Sequence, residues 1–290
     1  MSTQPQDDVN WLVEQAAVDL DSDDFEDRAR RAVGWAAIHR LNELGSREVL
    51  EAAIAASRDP DPIKRRVGAA VLGQLGYQVP GRFEDERYDA LAVLLADEQA
   101  TSADPAVLRD VCFAFSNMRV ARAIPALLEL RRHPDPDVRA GVVSGLFWHE
   151  DEKAIEGLIE LSTDEDDRVR DWATYALALI ITTDTPAIRA ALRARLDDPD
   201  FQTRNEAIEG LATRGDQYVV PALVRELDQQ IASPLFEAAT ALATPALCEA
   251  LVAARDRVLT WEADNEGYDL TEHWRQAMVA CGCVQGEDRT

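Results

Sequence analysis

The residues best suited to metal binding or redox chemistry are few in this sequence and widely separated. Only one His-Glu pair is present, His149-Glu150, among four histidines. Cys281 and Cys283 are separated by a single glycine, but no second Cys or His pair stands at a metal-ligand spacing. We therefore predict no metal site and expect all four cysteines to be free thiols.

Motifs for nucleophilic or phosphate chemistry are also missing from the sequence. There is no glycine-rich phosphate loop, no GxSxG elbow and no HExxH helix. The segment "GVVSG" around Ser144 lies inside a predicted helix, and no base stands at a signature spacing from it. We therefore assign no catalytic residue and no cofactor.

A repeated segment is the clearest regularity in the chain. "HPDPDVRAGVVSGL" begins at His133, and the similar "DEDDRVRDWATYAL" begins 31 residues later at Asp164. Further copies are "DPAVLRDVCFAF", in which Arg109 is displaced by one position, and a weaker one that begins at Asp23. In four copies an arginine precedes a leucine by seven residues, and these arginines are Arg65, Arg139, Arg170 and Arg204.

Each copy predicts two helices. An acidic turn with proline suits a helix start, because Asp accepts the free N–H groups and Pro fits the first helical position. Apolar residues then recur every three or four positions, and each face is too small to be buried without a neighbour. The sequence predicts an all-α fold, an α-solenoid of about six helical pairs. Residues 1–22 form an N-terminal capping helix, 23–228 the repeats, and 229–290 a C-terminal helical pair and cap, in one continuous domain.

This pattern resembles the HEAT repeat family, most closely the short bacterial repeats also found in phycobilin lyases. The resemblance covers Asp23 to Leu227. It implies a ladder of hydrogen bonds between recurring Asp and Arg residues that joins consecutive repeats. His133 replaces the expected Asp in one unit, so the resemblance does not imply that rung. The ladder residues are Asp59, Arg65, Arg139, Asp164, Arg170, Asp198 and Arg204.

The charge of the chain narrows the classes of partner. The formal net charge is −24, from 54 acidic and 30 basic residues. A field of this sign repels nucleic acids and anionic membrane surfaces. The polar N-terminus and the lack of a run of ~18 apolar residues predict a cytoplasmic protein without a membrane span. The charge favours a protein partner with a basic surface or segment, and solubility alone is the other explanation.

The repeat register also predicts a binding surface. If the arginines are equivalent, positions two, five and nine after each of them lie on the exposed, concave side. Aromatic rings and carboxylates there would suit a cationic or amphipathic protein segment. The alternative is that the rings pack between helices. The predicted residues, with their neighbours, are Phe113, Trp148, His149, Glu150, Asp171, Trp172, Tyr175, Glu206 and Glu209.

Two functional classes follow from these observations. The first is a non-catalytic protein-protein interaction module that binds its partner on the acidic, aromatic-containing face. The alternative is an enzyme or cofactor handler, of the phycobilin-lyase-like type or of the HEAT metal-dependent oxidoreductase type. Deoxyhypusine hydroxylase, of the latter type, holds two irons with several His-Glu pairs, and this chain has one such pair. We therefore favour the interaction module.

Overall fold

The computed structural model describes residues 8–20, 28–75, 79, 81–101, 104–264 and 269–283. These ranges contain sixteen α-helices and no strand, which confirms the prediction of an all-α solenoid. The predicted start of the first repeat, at Asp23, lies outside the described residues. The chain divides into two compact units, residues 1–157 and 158–290, which are described separately below. The predicted boundaries at 22 and 228 stay a prediction.

In the first unit, second helices of successive pairs pack side by side. Helix α4 packs against α6, and α6 against α8, while α3, α5 and α7 each pack against the second helix of their own pair. This gives a two-layered stack. The helices are α1 (Val9–Leu20), α2 (Arg28–Leu44), α3 (Arg47–Ala56), α4 (Pro62–Gln74), α5 (Glu84–Ala100), α6 (Pro105–Met118), α7 (Ile124–Leu130), α8 (Pro136–Leu146) and the start of α9 (Glu152–Leu161).

The second unit repeats this arrangement. Helices α10, α12, α14 and α16 lie in a row, and α13 packs against α15 beside them. A π-helical turn, Ala176–Ile180, follows α10 directly. The helices are α10 (Asp167–Tyr175), α11 (Pro186–Ala194), α12 (Phe201–Thr213), α13 (Val220–Gln229), α14 (Ser233–Leu242), α15 (Cys248–Asp264) and α16 (Leu270–Ala280).

The acidic turns start the second helix of each pair. An Asp side chain at the N-cap accepts a hydrogen bond from a main-chain N–H group two residues later, at 2.8 to 3.1 Å. These bonds satisfy donors that the helix leaves without a partner. The capping residues are Asp61, Asp104, Asp135, Asp166 and Asp200.

The repeated leucines form the core. Leu72, Leu146, Leu177 and Leu211 are fully buried, which accounts for their fixed distance from the repeated arginines. Burial of each such side chain contributes about 2 kcal/mol. A glycine permits a close backbone contact in the second unit, between α12 and the π-helical turn. A Cβ atom on Gly210 would lie 2.7 Å from the Cα atom of Ala178.

The prediction that all cysteines are free thiols is wrong for two of them. Cys248, at the start of α15, forms a disulfide with Cys283, which follows α16. Cys112 and Cys281 are free and buried. The bonded pair is 35 residues apart, so its proximity depends on the packing of α15 against α16 and not on local spacing.

Candidate functional site

The repeated arginines first bind their own turns. Each donates a hydrogen bond from Nη1 to the main-chain carbonyl oxygen six residues earlier, at 2.8 to 3.0 Å. The six-residue spacing between each arginine and the residue before its turn therefore reflects a hydrogen bond to the main chain. This bond closes the turn between the two helices of the pair. The pairs are Arg65 with Asp59, Arg139 with His133, Arg170 with Asp164, and Arg204 with Asp198.

Two of these arginines also reach the next helix pair of the second unit. Arg170 donates from Nε to Asp198 Oδ2 at 2.7 Å and from Nη2 to Asp198 Oδ1 at 3.1 Å. Arg204 donates from Nε to Glu226 Oε1 at 2.8 Å. Burial by itself raises the pKa of Asp198, but hydrogen bonds and the charge of Arg170 outweigh it and lower the pKa. These buried pairs join consecutive repeats and have a structural role.

In the first unit the same arrangement involves Arg65 and Glu98. Arg65 Nε donates to Glu98 Oε1 at 2.5 Å, and this glutamate lies on α5, the next helix. The carboxylate of Asp59 accepts instead from the main-chain N–H of Asp61, at 2.9 Å. The carboxylate that Arg65, Arg170 and Arg204 reach in the next repeat is thus Glu for two of them and Asp for one.

His133 takes over the turn contact of the aspartate it replaces. Its Nδ1 atom accepts a hydrogen bond from the main-chain N–H of Asp135 at 3.1 Å. Asp59, Asp164 and Asp198 accept the equivalent bond in their own turns, at 2.9 to 3.1 Å. The imidazole nitrogen therefore substitutes for a carboxylate oxygen at this position.

The predicted binding residues of the first unit are only partly exposed. The side chains of Phe113 and Trp148 are 37% and 44% exposed, and the guanidinium of Arg119 lies 4.0 Å from the centre of the Trp148 ring. Glu150 is exposed. His149, predicted as a neighbour of this surface, is buried, with 7% of its surface exposed. Burial lowers the pKa of His149, with Asp151 acting in the opposite direction. One face of the Trp148 ring is therefore already covered by a cation.

In the second unit, both predicted rings lie on α10 and are exposed. Trp172 is 47% exposed and Tyr175 is 37% exposed, and we call them the aromatic pair. Asp171, adjacent on the same helix, is half-buried, and its Oδ1 atom accepts a hydrogen bond from Thr203 Oγ1 of α12 at 3.2 Å. The aromatic pair therefore stands on the helix that also carries a partly buried carboxylate.

Glu206 of α12 is buried, contrary to the exposed position that the register predicted. Its exposed fraction is 8%, because α12 packs between α10 and α14. Its Oε2 atom has no hydrogen-bond partner among the described residues. Burial and the nearby charge of Asp171 raise the pKa of Glu206 to about 8. Burial also raises the pKa of Asp171, while hydrogen bonds with Thr203 and Glu206 oppose that shift.

These two carboxyl groups begin a series that continues across the second unit. Glu209, one turn further along α12, has a pKa raised by burial and by the charge of Glu237 on α14. Glu237 Oε1 in turn lies 3.3 Å from His273 Nε2 on α16. We call Asp171, Glu206, Glu209 and Glu237 the carboxylate row.

The carboxylate row is suited to binding positively charged groups. Like charges in a partly desolvated environment repel one another and stabilise protons or cations between them. The described residues include no group of three or more His, Cys, Asp or Glu side chains that could hold a metal ion.

Sequence reasoning missed two members of this arrangement, Glu237 and His273. Both lie in the region beyond residue 228, where the repeat pattern ends. The row of α10, α12, α14 and α16 nevertheless continues through that region. The helical periodicity of "SPLFEAATAL" could have been aligned with that of α12, and this alignment would have indicated Glu237.

No helix in the described ranges has a stretch of the length and apolar character needed to cross a membrane.

Comparison of the sequence with known proteins identifies the repeat. Residues 92–178 match the family model for HEAT repeats. Protein YibA of Escherichia coli K12 is 26% identical over 231 residues, which cover 78% of this chain and 79% of YibA.

Solved structures show the same fold. The X-ray structure of Escherichia coli YibA aligns with a TM-score of 0.69 at 21% identity, over 98% of both chains. The crystal structure of an engineered protein aligns with a TM-score of 0.55 at 18% identity, over 97% of this chain and 86% of the other. At these identities the likeness establishes the architecture of stacked helical pairs and no activity.

Proposed function

We propose that this HEAT-repeat protein is a non-catalytic module that binds another protein, and that its partner presents a basic segment to the carboxylate row and the aromatic pair. HEAT repeats stack into long surfaces in which each helical pair adds a strip, an arrangement suited to extended partners. Such a surface provides contact area for another protein, so we propose a protein ligand and not a small molecule.

The single observation that carries the proposal is that α10 carries both the exposed aromatic pair and Asp171, whose carboxyl group is hydrogen-bonded with Glu206 of α12. Exposed Trp and Tyr rings supply contact area and attract cations, and they are common at the energetic centre of protein interfaces. Carboxylates beside them add attraction for Lys or Arg side chains and speed the encounter. The net charge of −24 extends this attraction over a longer range.

The test is a quantitative pull-down from lysate of the source cells, with wild type compared with a Trp172→Ala/Tyr175→Ala variant. We expect a partner that wild type captures and the variant loses. Tyr218→Ala is the matched control, because Tyr218 is an exposed ring of the same unit that lies just before α13, on a different element from the members of the carboxylate row. Circular dichroism checks that each variant is folded.

Salt provides the second readout of the same experiment. Binding that depends on charge falls as salt rises, because ~0.5 M salt reduces the screening length to a few ångströms. A partner that the double variant retains, or that stays bound at ~0.5 M salt, contradicts the proposal.

A further inference from the structure

We propose that Asp171 and Glu206 together receive one cationic side chain of the bound protein, a lysine or an arginine, and that its binding releases the proton held by this carboxyl pair. This inference rests on the proposed function and specifies its chemistry. It assigns Asp171 and Glu206, which belong to the predicted surface, to one subsite. Binding at this subsite can be measured by the number of protons released.

The burial of Glu206 is the first argument. Its side chain is more than nine-tenths buried, and its Oε2 atom lacks a hydrogen-bond partner among the described residues. A buried carboxyl oxygen without a partner costs free energy, so buried polar atoms in native proteins are almost always satisfied. A ligand that donates a hydrogen bond to this atom removes that cost.

The charges around Glu206 are the second argument, and they favour a cation. Asp171 of α10 faces it, Asp200 precedes its own helix, and Glu209 follows one turn later. The side chain of Gln202 is a neutral hydrogen-bond partner. From α14, Glu237 acts on Glu209. The charged groups that raise the pKa values of this pair are therefore acidic, and for Asp171 they include Asp198 and Asp200.

The neighbouring arginines do not neutralise the pair. Arg170 precedes Asp171 in sequence, but its guanidinium is bonded to Asp198 and Asp167. Arg204 lies two residues before Glu206 and is bonded to Glu226. Both cations are engaged in the contacts that join the repeats.

A proton substitutes for the missing cation in the unbound protein. Since the pKa of Glu206 is raised to about 8, its carboxyl group is protonated at neutral pH, and a hydrogen bond with Glu206 favours the charged form of Asp171. When an ammonium or guanidinium group binds, Glu206 ionises, its proton passes to solvent, and two carboxylates face one cation.

The test uses titration calorimetry with a synthetic decalysine peptide at pH 7, in two buffers of different ionisation enthalpy. We expect release of about one proton per bound peptide, and an affinity that rises up to about tenfold per pH unit below pH 8. The Glu206→Gln variant preserves the shape of the protonated side chain. For this variant we expect no proton release and an affinity for the peptide that changes little with pH. Glu249→Gln, which removes an exposed carboxylate of α15 outside the carboxylate row, is the matched control and keeps both.

Several results would overturn the inference. These are equal proton release in wild type and Glu206→Gln, equal affinity for a peptide with acetylated lysines, or no binding of decalysine to wild type at pH 8. The pull-down of the aromatic variant separates this failure from that of the proposed function. A partner that depends on the aromatic pair leaves the proposed function standing even when no proton is released.

Discussion

At the scale of single residues, two kinds of buried carboxylate serve different purposes in the second unit. Asp198 is paired with Arg170 and has a lowered pKa, so it is charged and contributes to the joining of repeats. Glu206 has no such cation and has a raised pKa. The first kind stabilises the fold, and the second reduces stability at the pH at which it becomes charged.

Glu206→Gln is expected to change how stability depends on pH. The pKa of Glu206 in the folded protein lies above that of an unfolded chain, so its contribution is fully present below about pH 4 and lost as pH rises through about 8. At pH 9 the variant should therefore be more stable than wild type, by on the order of 2 kcal/mol. Urea unfolding at pH 6 and pH 9 measures this, and parallel curves for the two proteins would contradict it.

Asp198→Ala is expected to lower the free energy of unfolding by about 3 kcal/mol, because the buried Arg170 guanidinium loses its buried carboxylate partner and keeps only the exposed Asp167. The adjacent Asp197→Ala is a matched control. The Asp197 side chain is 85% exposed and bonds Arg225 at the surface, so its removal should cost less than about 1 kcal/mol. Urea unfolding at pH 7 compares them, and similar losses for the two variants would refute the structural role of the Arg170–Asp198 pair.

At the scale of elements, the end of α10 depends on a residue that lies two helices further along the chain. The guanidinium of Arg214 donates to the carbonyl oxygens of Leu177, Ala178 and Ile181 in and after the π-helical turn. It also donates to Gly210 O of α12. These bonds satisfy carbonyl groups that a helix terminus leaves free, and they hold the turn against α12.

Arg214→Ala is expected to destabilise the protein by about 3 kcal/mol, because buried carbonyl oxygens lose their donor. Arg257→Ala is the comparison. Arg257 bonds Leu227 O and Asp228 O near the surface, where water can replace it, and its loss should cost about 1 kcal/mol. Thermal unfolding followed by circular dichroism gives both values. A smaller effect for Arg214 than for Arg257 would contradict this account.

The disulfide is expected to stabilise the last helical pair. It closes a loop between Cys248 and Cys283, 35 residues apart, and such a cross-link contributes about 2–4 kcal/mol. Adding a phosphine reductant should therefore lower the free energy of unfolding of wild type by this amount. The Cys248→Ser/Cys283→Ser variant should be unaffected by reductant. An equal response of the two proteins would show that the cross-link has no such effect.

At the scale of the whole molecule, the net charge of −24 opposes folding through self-repulsion. Raising NaCl from about 0.02 to 0.2 M screens this repulsion and should raise the melting temperature by about 2–4 °C at pH 7. The matched control is the same experiment near pH 4.5, the sequence isoelectric point, where no rise is expected. A fall in melting temperature at pH 7 would mean that ion pairs between residues outweigh the net repulsion.

The sequence by itself determined the helices, their order and the repeat. Asp and Pro at helix starts act on main-chain groups two residues away, and the spacing of leucines such as Leu177 and Leu211 follows from the pitch of a helix. The repeat register also predicted that Trp172 and Tyr175 are exposed, and both are exposed in the structure. These features depend on neighbours within a few turns, so a local pattern was sufficient to predict them.

The tertiary structure decided which distant residues meet. The carboxylates of the next repeat that pair with Arg65, Arg170 and Arg204 lie 33, 28 and 22 residues further on, and they belong to Glu98, Asp198 and Glu226. The disulfide and the burial of His149 and Glu206 likewise depend on how neighbouring helices pack. The register gives the side of a helix on which a residue lies. The depth of its burial is decided by the adjacent helix, and for Glu206 that depth, beside Asp171, produces the proposed cation site.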